Sequence, residues 1–163
     1  MLTVASNART TIVNAAFLQE VKDSNLRLWS VLRELREVQV GNLEPRELSR
    51  VLVEDLGELR DAMALEFSLE ETYGFIEGAA RMGGIGMPDA SVAKVQHREL
   101  YLQLHELCEQ IEEAQYRGTI SRDLRIYLAA FERFDAAFRS HEEFEAELIR
   151  CAFGIRPPRS SSH

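Results

Sequence analysis

Residues 121–153, SRDLRIYLAAFERFDAAFRSHEEFEAELIRCAF, decide the fold. A helix advances about 100° per residue. On that wheel Tyr127, Phe131, Phe134, Phe138, Leu148 and Ala152 line up as one apolar stripe. Ser121 stands as an N-cap with Asp123 in the first turn. No glycine or proline interrupts the run, and a stripe of this length needs other helices to cover it.

Three more stretches supply that cover. Residues 91–116, ended by Gly118, offer Leu100, Leu104, Leu107, Cys108 and Ile111. Residues 45–77 open on Pro45, suited to a first helical turn, and offer Leu48, Leu52, Leu56, Leu59, Met63 and Tyr73. Residues 14–39 stop near Gly41 and offer Leu18, Val21, Leu28 and Leu32. Nothing alternates as a strand would. The one long loop is GAARMGGIGMPDA, residues 78–90. Short connections elsewhere make neighbours antiparallel. The expectation is an all-α, antiparallel up-down-up-down four-helix bundle over residues 14–153, with a flexible N-terminus (1–13) and a disordered tail (154–163).

Composition narrows the function. A chain of 163 residues that is 45% hydrophobic suffices for one domain with a real core. A net charge of −8, with no basic face to offset it, excludes a general nucleic-acid binder. The apolar runs fall far short of a membrane span, and the first residues lack the basic and apolar regions of a secretory signal. Two cysteines are too few for a disulfide framework, so a cytoplasmic protein is expected. No protein partner is named by the sequence.

The informative residues are polar ones at the centres of apolar stripes. His141 and Glu145 fall inside the fourth stripe, Glu66 and Glu70 inside the second, and His97 with Tyr101 on the third. Asn25 stands in the centre of the first. A buried carboxylate is normally neutralised, paired or metal-bound. Up-down topology carries all these residues to one end of the bundle, where inward Glu and His at helical spacing build metal sites. Mixed carboxylate and imidazole ligation suits iron, manganese or zinc better than calcium or copper(I). The expected ligands are Glu66, Glu70, His97, His141 and Glu145. Asn25 and Tyr101 are peripheral: Asn25 reads more readily as a buried amide bonding a neighbouring side chain, Tyr101 as core packing with its hydroxyl satisfied. His105 reads as a rim residue, Glu71 as solvated and Cys108 as a small core residue. The competing interpretation of the belt is a metal-free, ion-paired Glu-His network that fixes helix register.

At these residues the chain resembles the haemerythrin-like (HHE cation-binding) domains, from about Phe17 to Phe153. The segment SHEEFEAELI holds His141 and Glu145 in the family's H-x-x-x-E spacing. EFSLEETYGF is similar to the family's second-helix pair, with Glu70 at the bridging carboxylate and Glu66 where a histidine is expected. PDASVAKVQHRELYLQLHEL is similar to its proline-bearing loop and histidine-headed third helix, with His97 matching. VKDSNLRLWSVLREL carries Asn25 in place of the first-helix histidine. The resemblance implies non-haem iron and a role in sensing or handling oxygen or oxidants. The replacements at positions 25 and 66 both fall on ligands of one of the family's two irons, while His97 and His141 would serve the other. One metal, a carboxylate-rich pair or no metal are all compatible with that set. Reversible oxygen carriage does not follow from it, since fewer imidazoles and more anionic oxygen favour an oxidised centre. Without metal, the chain would be a degenerate bundle serving as a regulatory or interaction module. Nothing beyond the interior acids argues for an enzyme: no nucleophile-base pair is evident, and the GGIG run lacks the context of a phosphate loop.

Overall fold

A computed structural model describes residues 9–38, 41–79 and 90–154. The stretch read first folds as α5 (Leu124–Ala152), and Tyr127, Phe131, Phe134, Phe138 and Leu148 are buried as its stripe requires. Ala152, at the fraying end, is exposed. Against it lie α1 (Ala15–Ser24), α2 (Leu26–Glu37), α3 (Pro45–Leu69) and α4 (Ser91–Arg117). The architecture is all-α apart from one short ribbon, and the described residues hold five α-helices rather than four.

The extra helix arises at Asn25, where the expected first helix breaks. Asn25 ends α1 and starts α2 with φ −85° and ψ 64°, and its Oδ1 accepts the Leu28 N–H at 3.3 Å. An N-capping side chain supplies what the helix ladder cannot give the first N–H groups. The break leaves the Lys22 carbonyl without its usual partner four residues on, and the Trp29 indole Nε1–H donates to it at 2.8 Å.

Side-chain pairs fix the directions of the helices. Asn25 meets Glu66 while Arg27 meets Glu58, so α2 and α3 run oppositely. Lys22 meets Glu142 while Arg36 meets Asp135, which sets the α1–α2 arm against α5. A left-handed Gly118 (φ 72°) and the 3₁₀ turn Ile120–Arg122 join α4 to α5. The core has two parts. A large cluster includes Leu28, Leu52, Met63, Leu104, Phe134 and Phe138. A smaller one includes Leu18, Phe75, Ala93 and Leu148. On each long helix the polar residues singled out above fall between these clusters.

Three sequence expectations need correction. α3 does not continue to residue 77. It stops at Leu69, widens into a π-helical turn (Glu70–Gly74) and leaves as an extended strand. That change of pitch turns Tyr73 out of the stripe, and it is 56% exposed. Residues 9–13 of the supposedly flexible N-terminus form β1 (Arg9–Val13), paired antiparallel with β2 (Phe75–Ala79) in the register Val13↔Phe75 to Arg9↔Ala79. The β-branched run Thr10-Thr11-Ile12-Val13 suits a strand, and the strand leaving the π turn gives it a partner. Finally, Tyr101 is not core packing: it is at the surface, stacked on His105 with ring centroids 5.6 Å apart. Residues 80–89 of the long loop and 155–163 of the tail lie outside the described residues.

The ribbon holds the small cluster shut at one tight point. The Asn14 N–H donates to the Gly74 carbonyl at 2.7 Å, and a Cβ added at Gly74 would overlap the Leu18 side chain. Overpacking of this kind costs about 1–3 kcal/mol. Gly74→Ala is therefore expected to lower the urea midpoint of unfolding accordingly. An unchanged midpoint would mean that Leu18 gives way freely.

Candidate metal centre

The π turn begins at Glu70, and turns of this kind recur at functional sites. Glu66 and Glu70, one turn apart on α3 and its extension, both point inward, as do His97 on α4 and His141 with Glu145 on α5. Glu66, Glu70 and Glu145 are 0% exposed, His141 1% and His97 3%. Among the described residues, Glu70, His97, His141 and Glu145 form a buried group able to hold a metal ion, each offering one ligand atom within 4.8 Å of the others.

The contacts are those of ligands turned toward a common point. His97 Nε2 lies 3.1 Å from Glu70 Oε2 and 3.1 Å from Glu145 Oε1. His141 Nε2 closes on Glu145 Oε1. His141 Nδ1 lies 2.7 Å from Gln96 Oε1, an oxygen that can only accept, so Nδ1 donates there and Nε2 is the ring nitrogen turned inward. An imidazole nitrogen this close to a carboxylate oxygen needs a cation or a proton between them. A second ring nitrogen held by a neighbouring acceptor is the usual partner of a metal-bound imidazole. Both oxygens of Glu70, Oε2 of Glu145 and Nε2 of His141 are buried without a hydrogen-bond partner. Orphaned groups of this kind call for a ligand.

Apolar rings wall the imidazoles. Phe67 stacks on His97 with centroids 3.9 Å apart and planes at 10°, and meets His141 edge-on at 5.3 Å. Phe75 and Phe138 complete the wall. Between α3 and α4 a groove of about 510 Å³ runs from solvent to the His97 ring, past Phe67, Ser68, Thr72, Lys94 and Tyr101.

The sequence missed the residue with most influence on the charges here. Lys22 is buried, its Nζ 3.3 Å from Glu145 Oε2, 3.5 Å from Glu70 Oε1 and 3.1 Å from Glu142. Burial works against its charge, but the carboxylates of Glu145, Glu70, Glu142 and Glu66 overcome this and hold its pKa above the ordinary value. Burial opposes ionisation of Glu145 as well, yet the close approach of His141 and His97 and the charge of Lys22 keep it well below the usual range. Glu70 is pushed up to about 9 by burial and by the Glu145 charge, with Lys22 opposing. Glu66 is pushed up to about 8 by burial and the Glu70 charge. The belt thus holds one firmly ionised carboxylate, two that favour their protons, and a permanent cation.

The remaining candidates fall outside the four-residue group. Glu66 is buried beside it, with Oε1 accepting from Asn25 Nδ2 at 3.3 Å. Asn25 is half-buried and occupied by capping and by Glu66. Tyr101 lines the groove rather than the belt. His105 pairs with Glu109 at the rim, and Cys108 is buried in the core. Lys22 had a visible signal, since it follows Leu18 by one turn and shares an arm with Asn25. Gln96 had only its place beside His97. No helix among the described residues is long and apolar enough to cross a membrane. Comparison of the chain with protein-family models, curated proteins and solved structures found no match.

Proposed function

We propose that this chain is a cytoplasmic, haemerythrin-like metal-binding protein: an up-down-up-down four-helix bundle, its first helix split at Asn25, that holds non-haem iron or a similar ion through Glu70, His97, His141 and Glu145. One observation carries the reading. Four buried side chains from α4, α5 and the end of α3 converge their ligand atoms within 4.8 Å, with buried atoms of Glu70 and His141 that make no hydrogen bond. The directions of the paired helices support the bundle topology, and two unpaired thiols, Cys108 and Cys151, suit a reducing compartment. Two nitrogen and two carboxylate donors match the preferences of iron, manganese and zinc.

Iron held there would supply a redox couple for sensing or handling oxygen or an oxidant. The chain's own contributions are concrete. Gln96 fixes the His141 ring, Phe67 fixes the His97 ring, and Phe75 and Phe138 flank the two imidazoles. The groove beside His97 is a path for a small molecule to reach the belt.

Metal analysis of protein purified after iron supplementation tests the proposal. The native chain is expected to retain metal and a Glu70→Ala, His141→Ala double variant to lose it. Metal content unchanged in the double variant would sink the assignment.

Lys22 favours a second reading, because its ammonium already neutralises part of the belt. On that reading the Glu-His-Lys network fixes helix register and the bundle is a metal-free regulatory or interaction module. Absence of metal from the native protein, with no change in melting on chelation, would establish it.

A further inference from the structure

We propose that Lys22 is the resident occupant of a second cation position in the belt, so that the centre takes a single metal ion on the imidazole side and not a pair. This rests on the reading of the belt as a metal centre. The two carboxylates at its heart divide their oxygens between two sides. On one side Glu70 Oε2 and Glu145 Oε1 face His97 Nε2, each at 3.1 Å, and Glu145 Oε1 also meets His141 Nε2. On the other, Glu70 Oε1 and Glu145 Oε2 face the Lys22 ammonium at 3.5 and 3.3 Å. Each carboxylate therefore bridges two positions. One is lined by imidazole nitrogens, and the other is filled by a fixed positive charge.

Most of the groups around the second position serve the ammonium, with Glu66 Oε2 left as a buried oxygen without a hydrogen bond. Glu142 gives Lys22 both of its oxygens at 3.1 Å. Asn25 directs Nδ2–H at Glu66, and its Oδ1 accepts the Leu28 N–H. The Trp29 indole anchors the Lys22 carbonyl at the end of α1 and so fixes where the side chain starts. An ammonium has three donors and no lone pair to offer a metal. An incoming second ion would meet a like charge in a low-dielectric interior, where such repulsion is strong. The consequence is chemical: small ligands would bind end-on at one ion, and chemistry that clamps a substrate between two metals is closed to the native site.

Reconstitution with manganese(II) alone, followed by elemental analysis and electron paramagnetic resonance, tests this. The native chain is expected to bind about one ion with the spectrum of an isolated centre. Lys22→Ala is expected roughly to double the metal content and to show an exchange-coupled pair. Lys22→Arg, which keeps the charge, is expected to stay with the single ion. If Lys22→Ala does not fold, Lys22→Gln, which keeps a donor to the carboxylates but removes the charge, carries the same expectation as the alanine variant. A coupled pair in the native protein would overturn the inference and leave the metal reading standing, as would a single ion in the charge-free variants. No manganese in any form would remove the metal reading and this inference with it.

Discussion

Stripping the native protein with a strong chelator is expected to lower its melting temperature by about 5–10 °C. An ion that binds only the folded chain, present at a hundredfold excess over its dissociation constant, contributes about 2.7 kcal/mol. For a domain of this size each kcal/mol shifts melting by roughly 2–4 °C. The effect should be global, because the four donors come from α4, α5 and the π turn that ends α3, and they sit between the two core clusters. Removing the ion would return Glu70, Glu145 and His141 to a state with buried polar atoms that make no hydrogen bond. Readdition of metal should restore the original melting curve. A melting temperature indifferent to chelation, in protein shown to contain metal beforehand, would place the ion somewhere other than the belt. The same indifference in protein that never held metal would select the ion-paired network.

The helices were legible because periodicity is a long-range average. Leu48, Leu52, Leu56, Leu59 and Met63 repeat over enough turns that no local signal competes, and all are buried. The same averaging hid the places where the chain departs from helix. At Asn25 one side chain's capping bond outweighs continuity of the ladder, although both flanking segments have good helical pattern. At Glu70–Gly74 the pitch widens by about one residue, which leaves the inward Glu70 in place and throws Tyr73 outward. Strand β1 was overlooked because its partner lies beyond that widened turn, and only tertiary pairing makes five residues of β-branched sequence into a ribbon. The interior acids and histidines were visible as charges in apolar stripes. The signal at Lys22, one turn after Leu18, was weaker, because a lysine beside an apolar stripe ordinarily lays its stem along it and reaches water. Three buried carboxylates do demand a cation, and the short helix arm that carries Asn25 was the place to look for one.

That lysine does not neutralise the whole belt, and the residue of charge sets the pH behaviour. The metal-free protein is expected to lose stability as the pH rises from about 4.5 to about 9. Glu66 and Glu70 have folded-state pKa values raised from 4.5 to about 8 and about 9. A group raised in this way favours folding fully below its unfolded value, and that contribution disappears as the pH climbs through the folded value. Glu145 acts oppositely: its depressed pKa gives stability above about 4.5 that is lost only in stronger acid. The metal-free bundle should therefore be most stable near pH 4.5, with stability falling on either side. Glu66→Gln isolates the alkaline limb, since an amide imitates the protonated acid and its Oε1 can still accept from Asn25 Nδ2. The variant is expected to gain on the order of 3 kcal/mol over the native chain near pH 9 and little near pH 5. Metal reverses the slope. An ion on Glu70 must displace the proton that burial and Glu145 hold there, so loading at pH 7 should release protons and affinity should rise with pH. Urea unfolding of chelated and loaded protein across this range reads both effects. A flat alkaline limb in the chelated native chain, matched by Glu66→Gln at every pH, would show that the buried acids are already compensated by Lys22 alone.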